Sequence, residues 1–146
     1  MTVDVITEIL IKRPVHEVAA YAADPTNAPE WYANIDSIEW KTEPPVAQGS
    51  SVAFVARFLG RRLEYTYDLV ELDPGERLVM RTQQGPFPVE TTYTWEATDD
   101  GSTRMTLRNR GEPSGFSKVA AAVMQPAMRR ANRKDLVNIK RILESR

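Results

Sequence analysis

From Val52 onwards, apolar and polar residues alternate with a period of two through five successive runs. Turn-forming residues separate them, at Gly60-Arg61, Asp73-Pro74-Gly75-Glu76, Gly85-Pro86 and Asp99-Asp100-Gly101. Successive side chains of a strand point to opposite faces, so this pattern predicts an antiparallel meander with one apolar side. A two-residue turn at Gly60-Arg61 would pair Phe58 with Leu63, Ala56 with Tyr65, Phe54 with Tyr67 and Val52 with Leu69. The other face would then carry Arg57 opposite Glu64 and Ala53 opposite Asp68. The apolar side continues through Leu78, Met80 and Thr82, then Val89, Thr91, Tyr93 and Trp95, then Thr103, Met105 and Leu107.

Upstream, residues 3–11 read as a strand rich in Val, Ile and Thr. Pro14 opens a helix with Val15, Val18, Ala19 and Ala22 on one stripe, because the first helical turn tolerates a missing N–H. Asp24-Pro25 ends it, and Asp24 is placed to cap a second short helix running towards Trp31 and Tyr32. Residues 35–41 read as a short strand.

A sheet with one apolar face needs a cover, and the segment from about Phe116 to Glu144 is the remaining candidate. It reads as one long helix. Ala120, Met124, Ala127 and Ala131 form one stripe, and Met128, Asn132, Leu136, Ile139 and Leu143 a second. Pro126 falls where a kink is expected. No repeat or linker interrupts the chain, so residues 1–146 are read as a single α+β domain.

Composition narrows the function classes. A chain of 146 residues can bury roughly 70% of its unfolded surface, enough for a real core. The net charge of -1 provides no global field towards nucleic acid or an anionic membrane. With no cysteine, disulfides, thiolate metal sites and cysteine nucleophiles are excluded, and a cytoplasmic location is the default. The longest apolar run, Val119 to Met124, is far shorter than the about 20 residues a membrane-spanning helix needs. The isolated turn glycines make no phosphate cradle, and a single histidine leaves carboxylates as the only metal ligands, without a calcium-loop pattern. No metal, cofactor, nucleic-acid partner or membrane insertion is expected; the oligomeric state is open.

The order of strand, two helices, six strands and long helix resembles the START and Bet v 1-like superfamily, in its polyketide cyclase and dehydrase branch. The matching stretches are Ile11 to Val18, Asp24 to Trp31, Val70 to Pro74, Tyr93 to Glu96 leading into Asp100 to Arg104, and Asp135 to Glu144. The resemblance implies a helix-grip fold: a curved antiparallel sheet of six to seven strands wrapped round the C-terminal helix, with two short helices after the first strand. It also implies that the site is the cavity between sheet and helix. Its expected walls are Trp31, Tyr32, Phe54, Phe58, Tyr65, Tyr67, Met80, Tyr93, Trp95, Met105, Met124 and Met128. Such a lining suits a small hydrophobic molecule such as a lipid, isoprenoid or polyketide. Methionines beside small residues such as Ala56 and Ala131 favour space over solid packing.

These side chains have a blander reading as a filled core, and Trp31 in particular as packing of the second helix. Catalytic groups are scarce. His16 falls on the outer face of the first helix, and alternation places Arg81 and Arg108 outside. An enzyme of the cyclase or dehydratase type would rest on tyrosine hydroxyls, Thr82, Thr91 and Asn109. The basic run Arg129, Arg130, Arg133, Lys134, Lys140, Arg141 and Arg146 reads as a solvated helix face. A protein-interaction or chaperone-activator role through that face is the third reading.

Overall fold

The computed structural model describes residues 3–58, 60–84, 88–111 and 118–146, without the side chains of Phe58, Gln83, Gln84 and residues 118–121. The expected turn at Gly85-Pro86, a helix start at Phe116 and the side chains of Phe58 and Ala120 therefore fall outside the described residues.

Strand β1 (Val3–Ile11) leads into helix α1 (Val15–Ala23), a 3-10 turn (Pro25–Asn27) and helix α2 (Ala28–Trp31). Six strands follow: β2 (Ile35–Trp40), β3 (Ser51–Phe58), β4 (Arg61–Asp73), β5 (Arg77–Gln84), β6 (Val89–Ala97) and β7 (Thr103–Gly111). Helix α3 (Lys118–Glu144) closes the chain. The strands form one curved antiparallel sheet of seven in the order β1-β7-β6-β5-β4-β3-β2, so β1 returns to pair with β7. This is the expected helix-grip arrangement.

The local signals explain the connections. Pro14 stands just before α1, whose Val18, Ala19 and Ala22 are buried while His16 is exposed. Asp24 Oδ1 accepts from Thr26 N at 3.0 Å and from Thr26 Oγ1 at 2.7 Å, which fixes the 3-10 turn leading into α2.

The β3–β4 hairpin departs from its expected register but keeps its expected faces. Its innermost pair is Phe58 with Arg61, so Ala56 faces Leu63, Phe54 faces Tyr65 and Val52 faces Tyr67. The turn lies one residue earlier than Gly60-Arg61, with Gly60 at φ 76, where glycine is favoured. Moving an antiparallel turn by one residue slides the pairing by two, and a period of two leaves every side chain on its own face. Arg57 thereby faces Arg62 instead of Glu64, and Ala53 faces Thr66 instead of Asp68. The Arg57 charge is met from the edge strand instead, where Asp36 lies at 2.8 Å.

Helix α3 runs along the inner face of the sheet and is tied to β1 at its far end. Lys12 N donates to Glu144 Oε2, Lys140 Nζ to Leu10 O and Arg13 Nε to Leu143 O, each at 2.8 Å. Leu136, Ile139 and Leu143 enter the main core with Ile11, Trp31, Leu78, Trp95, Met105 and Leu107. Met124 instead joins a smaller cluster with Val3, Val5 and Val89. Pro126 lies inside the helix. Arg129, Arg130, Arg133, Lys134 and Arg141 are exposed on its outer side. Arg81 and Arg108 lie outside the sheet, paired with Glu90 and Asp4 at 2.6 Å each. Among the described residues, no helix is long and apolar enough to cross a membrane.

Candidate functional site

Between the two clusters, helix and sheet stand apart around a cavity of about 130 Å³. Alternation brings the floor together: Phe54 and Ala56 from β3, Tyr65 and Tyr67 from β4, Met80 from β5, Val89 and Thr91 from β6, and Asn109 from β7. Met128, Ala131, Asn132 and Asp135 of α3 form the roof, at the helical spacing that holds them on one face. Tyr32, Asn34 and Ile35, in and before β2, form one side. Arg57 also lines the cavity and is exposed, so the cavity reaches solvent beside it. The space follows from side-chain size. One turn further along α3, Leu136 and Ile139 fill the equivalent gap, whereas here the helix offers Ala131, Asn132 and Asp135.

The polar groups are placed on this apolar wall with specific partners. Ala33 N donates to Asp135 Oδ1 at 2.8 Å, and Asn138 Nδ2 donates to the Trp31 carbonyl at 3.1 Å. Two side chains of α3 thus hold the segment that carries Tyr32. Burial raises the Asp135 carboxyl to about 7, against the opposing effects of the Ala33 hydrogen bond and the Lys134 charge. Near neutral pH it is therefore available both as an acid and as a base.

The hydroxyls of Tyr32 and Tyr93 hydrogen-bond to each other. Burial pushes Tyr32, Tyr65, Tyr67 and Tyr93 above the ordinary tyrosine range, so all four are neutral. Thr91 Oγ1 donates to Asn109 Oδ1 at 2.5 Å. Asn132 is 5% exposed, and its Nδ2 has no hydrogen-bond partner among the described residues. A buried amide donor without a partner is costly unless something fills the place beside it.

Of the expected wall, Tyr32, Phe54, Tyr65, Tyr67, Met80 and Met128 line this cavity, and Tyr93 lines a smaller neighbouring hollow. Trp31, Trp95, Met105 and Met124 line neither. Trp31 and Met105 are 0% exposed and, with Trp95, belong to the filled core, while Met124 is taken up by its contacts with the first strand. These four carry the right hydrophobicity but meet large partners across the gap. Phe58 has no described side chain. Asn132 and Asp135 are absent from the expected wall. Their signal is a pair of polar residues on the buried stripe that runs from Met128 to Leu136, since a polar residue on such a stripe faces the interior. Among the described residues, no group of three or more His, Asp or Glu is placed to hold a metal ion.

Comparisons with known proteins agree with this architecture. The family model described as polyketide cyclase/dehydrase and lipid transport matches residues 2–144. Among curated proteins no sequence matches. The fold is similar to that of the Zhui aromatase/cyclase from Streptomyces sp. R1128, with a TM-score of 0.84 and 16% identity over 99% of this chain and 94% of that one. It is similar to a protein from Thermus thermophilus, with a TM-score of 0.83 and 20% identity over 97% and 98% of the two chains. It is also similar to a START superfamily protein from Mycobacterium smegmatis, with a TM-score of 0.77 and 10% identity over 95% and 98%. At these identities the likeness establishes the fold alone.

Proposed function

Since the chain belongs to the polyketide cyclase/dehydrase and lipid transport family, we propose that it binds a small hydrophobic molecule carrying one acceptor oxygen in the cavity between sheet and α3. The observation that carries this reading is an apolar hollow of about 130 Å³ lined in part by Asn132, whose buried amide N–H has no partner among the described residues. Apolar cavities of roughly 150 Å³ accept benzene, so one ring or a short branched chain fills a space of this size. The ligand's oxygen takes the Asn132 N–H, and protonated Asp135 offers a second donor. Tyrosine and phenylalanine rings supply contact area at low entropic cost.

Acetophenone, a ring with one carbonyl, tests the reading by isothermal titration calorimetry. The expected result is saturable one-to-one binding that Ala131→Phe abolishes by filling the cavity and Asn132→Leu weakens about fivefold by removing one hydrogen bond. Absence of saturable heat with the folded wild-type protein contradicts it.

Asp135 favours a second reading, a cyclase- or dehydratase-type enzyme, because a carboxyl raised to about 7 in a cavity wall is placed to take a proton from carbon beside a carbonyl. Hydrogen-deuterium exchange at the central carbon of benzoylacetone, followed by NMR, tests it. The rate rises with pH through about 7 and falls to background in Asp135→Asn; equal rates with and without protein exclude this reaction.

A further inference from the structure

A second hollow of about 20 Å³ lies on the far side of the sheet's central side chains, under α1 and the 3-10 turn. Its outer wall is made of small residues, including Ala22, Ala23, Pro25 and Ala28. The two hollows share three lining side chains, Phe54, Tyr67 and Met80. Two of these are fixed. Phe54 and Tyr67 meet edge to face, with centroids 5.3 Å apart and planes at 86°, and Tyr67 also packs against Tyr65, with centroids 6.1 Å apart. Met80, in the middle of β5 between Leu69 and Thr91, is unbranched and has a flexible thioether end. The partition between the hollows therefore has two rigid members and one that changes shape at low cost.

We infer that Met80 is a movable partition between the two hollows and sets the length of apolar tail the site accepts. The head of the ligand stays at Asn132 and Asp135, and its tail passes Met80 into the space under α1. The class of ligand is a ring or carbonyl head with an unbranched alkyl tail. This inference rests on the binding reading above and adds to it a second chamber and the residue that controls entry.

A series of 4-alkylacetophenones of increasing tail length, measured calorimetrically, tests it. Each buried methylene tightens binding about fourfold, so affinity climbs with tail length up to a limit. Met80→Ala moves that limit to longer tails and tightens the longest members about tenfold or more, while Met80→Leu, stiffer at similar volume, moves it to shorter ones. Ala23→Leu, which fills the far hollow without touching the first, also shortens the limit and leaves acetophenone itself within about twofold of wild type. An identical length limit in wild type, Met80→Ala and Ala23→Leu overturns the partition while leaving the ligand site standing. Failure of every member to bind the folded wild-type protein overturns both.

Discussion

The two ends of the space between α3 and the sheet are built on the same helix and the same sheet face, yet one is solid and the other hollow. At the solid end Leu136, Ile139 and Leu143 meet Ile11, Trp31, Trp95, Met105 and Leu107 with almost no exposure. At the hollow end Met128, Ala131, Asn132 and Asp135 stand over Tyr65, Tyr67, Thr91 and Asn109. Hydrophobic alternation is equally good in both. What differs is the volume offered by the helix and the number of polar atoms that require partners. One end supplies stability and the other gives up some of it for a site.

The largest expected effect lies at the solid end. Leu136→Ala or Ile139→Ala removes a fully buried side chain from a filled core and costs about 2–5 kcal/mol in urea denaturation. Met128→Ala, over the existing cavity, costs about 1 kcal/mol or less, because space beside it is already empty. Equal losses at the two positions would erase the distinction between the ends.

Asp135 comes next. Its carboxyl is raised from 3.8 to about 7 by burial, so between these values the folded protein binds more protons than the unfolded chain. Stability consequently falls as pH rises from about 4 to about 7 and levels off above it. Asp135→Asn keeps an acceptor for the Ala33 N–H, removes this slope and stabilises the protein by about 2–4 kcal/mol at pH 8. Urea midpoints at pH 4.5 and 8 check the sign: a wild-type protein more stable at the higher pH through this group would contradict it.

The Tyr32–Tyr93 hydroxyl pair follows. Tyr93→Phe leaves the buried Tyr32 hydroxyl without its partner and costs about 1–3 kcal/mol, and the double change to Phe costs less than the sum of the two single ones. Additive losses would mean that the hydroxyls do not depend on each other. The smallest effect belongs to the outer face. Arg108→Ala removes an ion pair with Asp4 that is open to solvent, so its loss of stability in urea denaturation is the smallest of these and shrinks further with added salt.

The sequence made the solid end and the sheet faces legible, because both depend on residue type at a fixed period. Leu136, Ile139 and Leu143 fall on a helical stripe, and among the described side chains the alternation from Val52 to Leu107 puts Val52, Phe54, Leu69, Leu78, Met80, Tyr93, Trp95, Met105 and Leu107 inside as expected. The β3–β4 register slipped by two residues without disturbing those faces, since a glycine marks a turn more firmly than it marks its position within the turn. The hollow was less legible. Trp95 and Met105 carry the same chemistry as Tyr67 and Met80, and only the residue facing them across the gap decides which pair encloses space. Asp135 was hidden for a related reason: among Arg133, Lys134 and Lys140 it looks like part of a charged surface, while its helical angle turns it inward.

The central claim is that the hollow end receives a ligand instead of remaining an imperfectly filled core. A crystal soaked with 4-bromoacetophenone tests it most directly through the anomalous signal of bromine. The account predicts one strong peak between Met80 and α3, with the ketone oxygen within hydrogen-bonding distance of Asn132 Nδ2. A crystal whose cavity side chains have closed onto one another, with bromine found only on the outer surface, would contradict it.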